Sequence, residues 1–105
     1  MKQKLGKIAF VIPAYNEEVS IGHTLADVKK NFPSAPVFVV NDGSRDRTRE
    51  IALKNGARVL SHVVNRGLGA ALATGIQAAV ERSNADIVIT FDADLQHSGS
   101  DVRKL

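Results

Sequence analysis

Asp92 and Asp94 are separated by one residue and follow an apolar, β-branched run that ends at Phe91. In an extended chain such a pair points to the same side, and like charges so close are costly unless a cation or hydrogen-bond donors compensate them. A hard divalent ion, Mg2+ or Mn2+, is the natural compensator, because it prefers carboxylate, carbonyl and water oxygens. Gln96 could add an amide oxygen, whereas His97 reads as a surface or phosphate-facing side chain. An Asp-x-Asp pair by itself also fits an ordinary acidic turn. The strand end in front of it is what points to a site.

Three other polar segments follow apolar runs in the same way: Pro13-Ala14-Tyr15-Asn16-Glu17, Asn41-Asp42-Gly43-Ser44 and Asn65-Arg66-Gly67-Leu68-Gly69. A strand-to-helix loop needs one cap and one glycine, so four such segments exceed what connection requires. Asp42 is a short acceptor suited to a nucleobase or ribose, Gly43 permits close backbone approach, and Ser44 can cap the following helix or join the site. With Ser44 available as the cap, Asp42 is read as ligand-binding. Gly67-Leu68-Gly69-Ala70-Ala71 begins like a dinucleotide fingerprint, but Leu72 stands where the third small residue belongs. The segment also follows the third run rather than the first, and no acidic ribose-binding residue follows in the expected context, which argues against a nicotinamide cofactor. Gly67 instead lets backbone amides at a helix N-terminus approach an anion, with Arg66 near a phosphate.

Four short β-branched runs, residues 7–12, 36–40, 57–61 and 86–91, must carry these segments. They alternate with helical spacing, the pattern of βαβ units on a parallel sheet. A first helix is expected over 18–31, with Ile21, Leu25, Val28 and Phe32 on one stripe and Glu17 and Glu18 at its positive end. A second is expected over 46–55, with Ile51 inward and Gly56 as its left-handed cap. A third, over 68–82, carries Leu72, Ile76 and Val80 among Ala70, Ala71, Ala73 and Ala78, and so many small residues imply close approach to the sheet. Right-handed crossovers that reverse direction once give strand order 3-2-1-4, with Pro13 and Asp92 on adjacent strand ends. Ligands of such sheets bind outside the carboxyl ends of the strands, where all four polar segments fall.

The chain has 105 residues, room for one domain over 1–105, and its 44% hydrophobic and 24% charged residues are a folded, globular mixture. Its 14 Lys and Arg against 11 Asp and Glu are spread along the chain, and without Trp it offers no stacking platform, which argues against nucleic acid. The absence of Cys excludes disulfides, thiolate zinc sites and a cysteine nucleophile. The short basic start leads into an apolar run that Pro13 ends, with no small-residue cleavage site, so a signal peptide is not expected. No apolar run approaches the roughly 18 residues of a membrane span.

In this order, the four segments resemble glycosyltransferase family 2, and the likeness runs from Lys7 to His97. The stretch from Asp92 to His97 and the Gly67-Leu68-Gly69 segment are most similar to dolichyl- and polyprenyl-phosphate sugar transferases. The resemblance implies an α/β GT-A fold, Rossmann-like and three-layered, truncated before the acceptor half. It implies that Pro13, Tyr15, Glu17 and Asp42 line a base and ribose pocket, and that Asp92, Asp94 and Gln96 hold Mg2+ or Mn2+ on a diphosphate. Asp92 would also reach the ribose or sugar, leaving Asp94 as the stronger metal ligand. Two departures stand out: Asn41 replaces the first Asp of the usual Asp-Asp-Gly-Ser, and Ser98-Gly99 replaces a Pro that often follows the His.

The reaction implied is transfer of a sugar from a GDP- or UDP-sugar, with inversion, to a polyprenyl phosphate or glycan. Such chemistry belongs in the cytoplasm, at the cytoplasmic membrane face in a full-length protein. The resemblance places acceptor loops and any catalytic base beyond Leu105, so the chain alone is expected to be inactive and to self-associate through an exposed sheet edge. A sugar-phosphate nucleotidyltransferase would need a Gly- and Arg-rich phosphate loop after the first strand, which residues 13–17 are not. A non-catalytic nucleotide-binding fragment is the remaining alternative.

Overall fold

A computed structural model describes residues 6–93. Four parallel strands, β1 (Ile8–Ala14), β2 (Val37–Asp42), β3 (Arg58–His62) and β4 (Ile87–Thr90), form one sheet in the order β3-β2-β1-β4. The helices α1 (Ile21–Asn31), α2 (Thr48–Lys54) and α3 (Leu68–Ser83) connect them. Topology and order are those expected from the alternation of runs.

The central strands are apolar almost throughout because helices cover both faces of the sheet. Phe10, Ile12, Val37 and Val39 pack with Ile21, Leu25 and Val28 of α1 and Ala52 of α2. The alternate residues Ala9, Val11, Phe38 and Val40 pack against Ala71, Ala78 and Ala79 of α3. Period-two alternation thus assigns every strand residue to an α1/α2 face or an α3 face.

Helix α3 lies close to the sheet because its inward residues are small. A Cβ at Gly75 would stand 2.2 Å from Val11 Cγ1 and 3.0 Å from Val40 Cγ2. Its larger residues turn outward: Ile76 is 41% and Val80 49% exposed. Close approach was legible in the alanines; that the bulky stripe faces away from the sheet was not.

Helix α1 starts three residues later than its spacing predicts, at Ile21 after Ser20. Residues 17–20 form a turn instead, in which the Ser20 and Ile21 amides both donate to the Glu17 carbonyl, at 3.1 and 2.8 Å, while the Glu17 and Glu18 amides are tied to Thr48 Oγ1 at 2.8 Å and Asp46 Oδ2 at 3.2 Å. Strands β1 and β2 run two residues further than expected, so Pro13, Ala14, Asn41 and Asp42 end strands instead of opening loops. Gly56 has φ +83° just past α2, as its capping role requires.

Candidate functional site

Strand parity decides which polar residues meet. Val40 and Leu60 belong to the α3 face, so Asp42 and His62, two residues on, project to the same side. On β4 the alternate residue Val88 faces α3, which puts Asp92 on that side too, while Phe91 packs edge-on against Phe10 with ring centroids 6.0 Å apart. Pro13, four residues past Ala9, shares the face.

At the carboxyl ends of β1, β2 and β4 lies a cavity of about 380 Å³. Pro13, Tyr15, Glu17, Asp42, Gly67 and Asp92 all line it. Tyr15 and Asp92 are exposed at its surface, and Glu17 is half-buried. A larger cavity of about 570 Å³ opens at the amino ends of β1 and β2, beside Ile8, Phe32 and Pro36, but no carboxylate lines it. In open parallel sheets ligands bind at the carboxyl ends, and converging polar groups distinguish a site from a void, so the smaller cavity is the candidate. Asp94, Gln96 and His97 lie outside the described residues.

Asp42 does more inside the protein than its sequence context indicates. Its Oδ1 accepts from the Arg66 amide at 2.9 Å and meets His62 Nδ1 at 2.8 Å, while its Oδ2 accepts from the Gly67 amide at 2.9 Å. Burial would raise its pKa, but the hydrogen bonds from Arg66, His62 and Gly67 outweigh burial and hold the carboxyl below the ordinary value. An ionised carboxylate has about four acceptor directions, and three are used, which leaves one on Oδ2 beside the cavity.

Three sequence expectations need correcting here. Ser44 does not cap α2; its Oγ accepts from the Asn16 amide at 2.9 Å, tying the β1–α1 loop to the β2 end. The α2 start is held by Asp46, which accepts from the Thr48 amide at 2.9 Å and from the Thr48 hydroxyl. Gly43, at φ +78°, permits close approach of the protein's own backbone: a Cβ there would stand 2.4 Å from the Asn65 nitrogen. The amides of Arg66 and Gly67 are engaged by Asp42, so an anion at the α3 N-terminus would meet those of Leu68, Gly69 and Ala70 instead. Gly43, Ser44 and Arg66 stand outside the cavity lining.

Asn41 also has a structural explanation. Its Oδ1 accepts from the Ser44 amide at 3.1 Å and its Nδ2 donates to Ser61 Oγ at 3.3 Å, a donation that an aspartate could not make.

The residues that sequence reading missed are those that brace the rim. Burial would raise the pKa of Asp46, but hydrogen bonds from Thr48 and Glu18 prevail and lower it. Ser20 Oγ lies 2.9 Å from Glu17 Oε2 and also reaches the Ala93 carbonyl, joining the β1–α1 loop to the segment after β4. His62 underlies Asp42.

The family model for glycosyl transferase family 2 matches residues 9–105. The chain belongs to glycosyltransferase family 2. An uncharacterised protein of Methanocaldococcus jannaschii is 50% identical over 94% of this chain and 40% of its own length. An undecaprenyl-phosphate 4-deoxy-4-formamido-L-arabinose transferase of Pseudomonas paraeruginosa is 37% identical over 93% of this chain and 31% of its own. Among solved structures, glucosyl-3-phosphoglycerate synthase of Mycobacterium tuberculosis, in complex with Mn2+, UDP and glucosyl-3-phosphoglycerate, superposes with TM-score 0.69 at 30% identity. That match covers 85% of this chain and 34% of the synthase. The chain therefore spans between about a third and two fifths of the length of these relatives.

The chain's α/β sheet, with parallel order 3-2-1-4, is the fold that it shares with the solved relative. Among the described residues no group of three His, Asp or Glu side chains is placed to hold a metal ion. No described helix is long and apolar enough to cross a membrane.

Proposed function

We propose that residues 1–105 are the donor-binding, N-terminal portion of a family 2 glycosyltransferase that moves a sugar from a GDP- or UDP-sugar, with inversion, to a polyprenyl phosphate or glycan. The observation that carries this reading is the convergence of Pro13, Tyr15, Glu17, Asp42, Gly67 and Asp92 on one strand-end cavity. A relative that acts on undecaprenyl phosphate and a structural neighbour bound to UDP and Mn2+ support it.

Tyr15 offers an aromatic face and a hydroxyl at the exposed mouth, suited to a nucleobase. Pro13 and Gly67 present walls without long side chains, and Asp42 has one acceptor direction left for a base or ribose donor. The α3 N-terminus, through Leu68 to Ala70, aims amide dipoles toward a diphosphate, with the Arg66 side chain exposed nearby.

A divalent cation fits the donor set: Asp92 is an exposed carboxylate on the cavity wall, and Mg2+ needs only one or two carboxylates when substrate phosphates and water complete its shell. Asp92 would hold it together with Asp94 and Gln96. When bound, Mg2+ or Mn2+ supplies positive charge against the diphosphate that departs. The catalytic assignment therefore rests on Asp92 and Asp94, which orient the donor.

A lipid phosphate is already anionic and attacks the anomeric carbon without a general base, whereas a glycan hydroxyl requires one. Transfer of this kind belongs at the cytoplasmic face of a membrane. The test is a transfer assay with a protein containing this segment at the length of its relatives. Inverted product from a GDP- or UDP-sugar and a polyprenyl phosphate supports the reading, and hydrolysis or nucleotidyl transfer instead would refute it. The 105-residue chain alone is expected to bind donor and transfer no sugar, because the cavity addresses only the donor and proximity of both substrates contributes about 7 to 11 kcal/mol.

A further inference from the structure

We propose that His62 is a positioning residue for the donor site: it fixes the Asp42 carboxylate, which ties down the Arg66 and Gly67 amides and so holds Gly67 in place on the wall of the nucleotide cavity. The inference rests on the donor-binding reading of that cavity. His62 lies beneath the cavity rather than on it, and its side chain is 8% exposed. Both ring nitrogens are used: Nδ1 meets Asp42 Oδ1 at 2.8 Å, and Nε2 meets Thr74 Oγ1 of α3 at 2.8 Å.

Because an ionised carboxylate only accepts, Nδ1 carries a proton and donates it. Thr74, rooted in the first half of α3, prevents the ring from rotating. Asp42 is held in turn and keeps Oδ1 on the Arg66 amide and Oδ2 on the Gly67 amide. Without the ring, the carboxylate could swing toward the cavity and water, releasing both amides. Val63, Val64, Asn65 and Arg66 are all exposed, and apart from the packing of the Val64-Asn65 backbone on Gly43 the bonds to Asp42 are what hold this loop. Side chains with fixed partners on both ends are how a binding wall keeps its geometry.

The experiment compares His62→Ala, His62→Asn and Thr74→Val in the 105-residue chain. Asn places an amide nitrogen near the Nδ1 position and so can restore the donor to Asp42. Amide exchange at Arg66 and Gly67 is read against that of Val39 and Val40, and UDP and GDP affinities are measured with Mn2+. In His62→Ala, exchange at Arg66 and Gly67 should accelerate at least about tenfold more than in the β2 core, with nucleotide affinity falling about tenfold. His62→Asn should recover most of both, and Thr74→Val should fall between. Equal acceleration at all four amides, or no rescue by Asn, would overturn the proposal by reducing His62 to a packing residue. If the unaltered chain binds neither nucleotide, the donor-binding reading fails, while the exchange comparison still decides whether His62 holds the wall.

Discussion

Asp42 and His62 are register partners at the carboxyl ends of adjacent parallel strands, and their side chains meet at 2.8 Å on the α3 face of the sheet. The pair couples the β2 end to the β3–α3 loop through the Arg66 and Gly67 amides, so the cavity wall is fixed by strand pairing rather than by the loop itself.

The first consequence concerns pH. The carboxyls of Asp42 and Asp46 both sit below the ordinary aspartate value of 3.8, so the unfolded chain takes up protons before the folded one as pH falls. Their contribution to stability is complete above that value and is lost as pH falls through it toward the folded values. Melting temperature should therefore hold from neutrality to about pH 5 on their account, then drop at lower pH, and the drop should be shallower in Asp42→Asn. At neutral pH Asp42→Asn should cost about 1–3 kcal/mol, because an amide in place of the carboxylate turns a donor toward donors. An unchanged acid transition in the variant would contradict the assignment.

Gly43→Ala should destabilise by about 1–3 kcal/mol through strained backbone, and by more if the Val64-Asn65 backbone cannot withdraw. Denaturant midpoints measure this, and a neutral result would show that the loop does not press on Gly43.

Two glycines of α3 should respond oppositely to alanine. Gly75→Ala drives a methyl into Val11 and should cost about 1–3 kcal/mol by overpacking. Gly69→Ala meets nothing within 4 Å and should be neutral or stabilise by up to about 1 kcal/mol through helix propensity. Equal effects in thermal melts would mean that α3 does not rest on the sheet as described.

Much of this was legible in the sequence. Alternating apolar runs and helical spacing determined the order 3-2-1-4, and polar segments at run ends located Pro13, Tyr15, Glu17, Asp42, Gly67 and Asp92 on one cavity. What was not legible is side-chain commitment. Gly43 and Ser44 have the residue types of ligand binders but hold backbone together, because a short polar side chain serves a turn as readily as a substrate. His62 passed unnoticed since its role depends on register with Asp42, a long-range pairing that no local spacing records. The outward turn of Ile76 and Val80 was equally hidden, because periodicity marks an apolar stripe without saying which neighbour covers it.

Asp92→Asn should leave melting temperature nearly unchanged, since Asp92 is exposed, while weakening metal-dependent nucleotide binding at least about tenfold. Unchanged Mn2+ dependence would remove Asp92 from the metal and donor assignment.

The most direct test of the donor-site account is calorimetric titration of the 105-residue chain with UDP and GDP, each with and without Mn2+. The account predicts saturable binding of at least one nucleotide that needs the metal, is weak, and is lost in an Asp42→Asn, Asp92→Asn double variant that remains folded. Absence of binding to both nucleotides at millimolar concentration with Mn2+, or binding that the folded double variant retains in full, would contradict it.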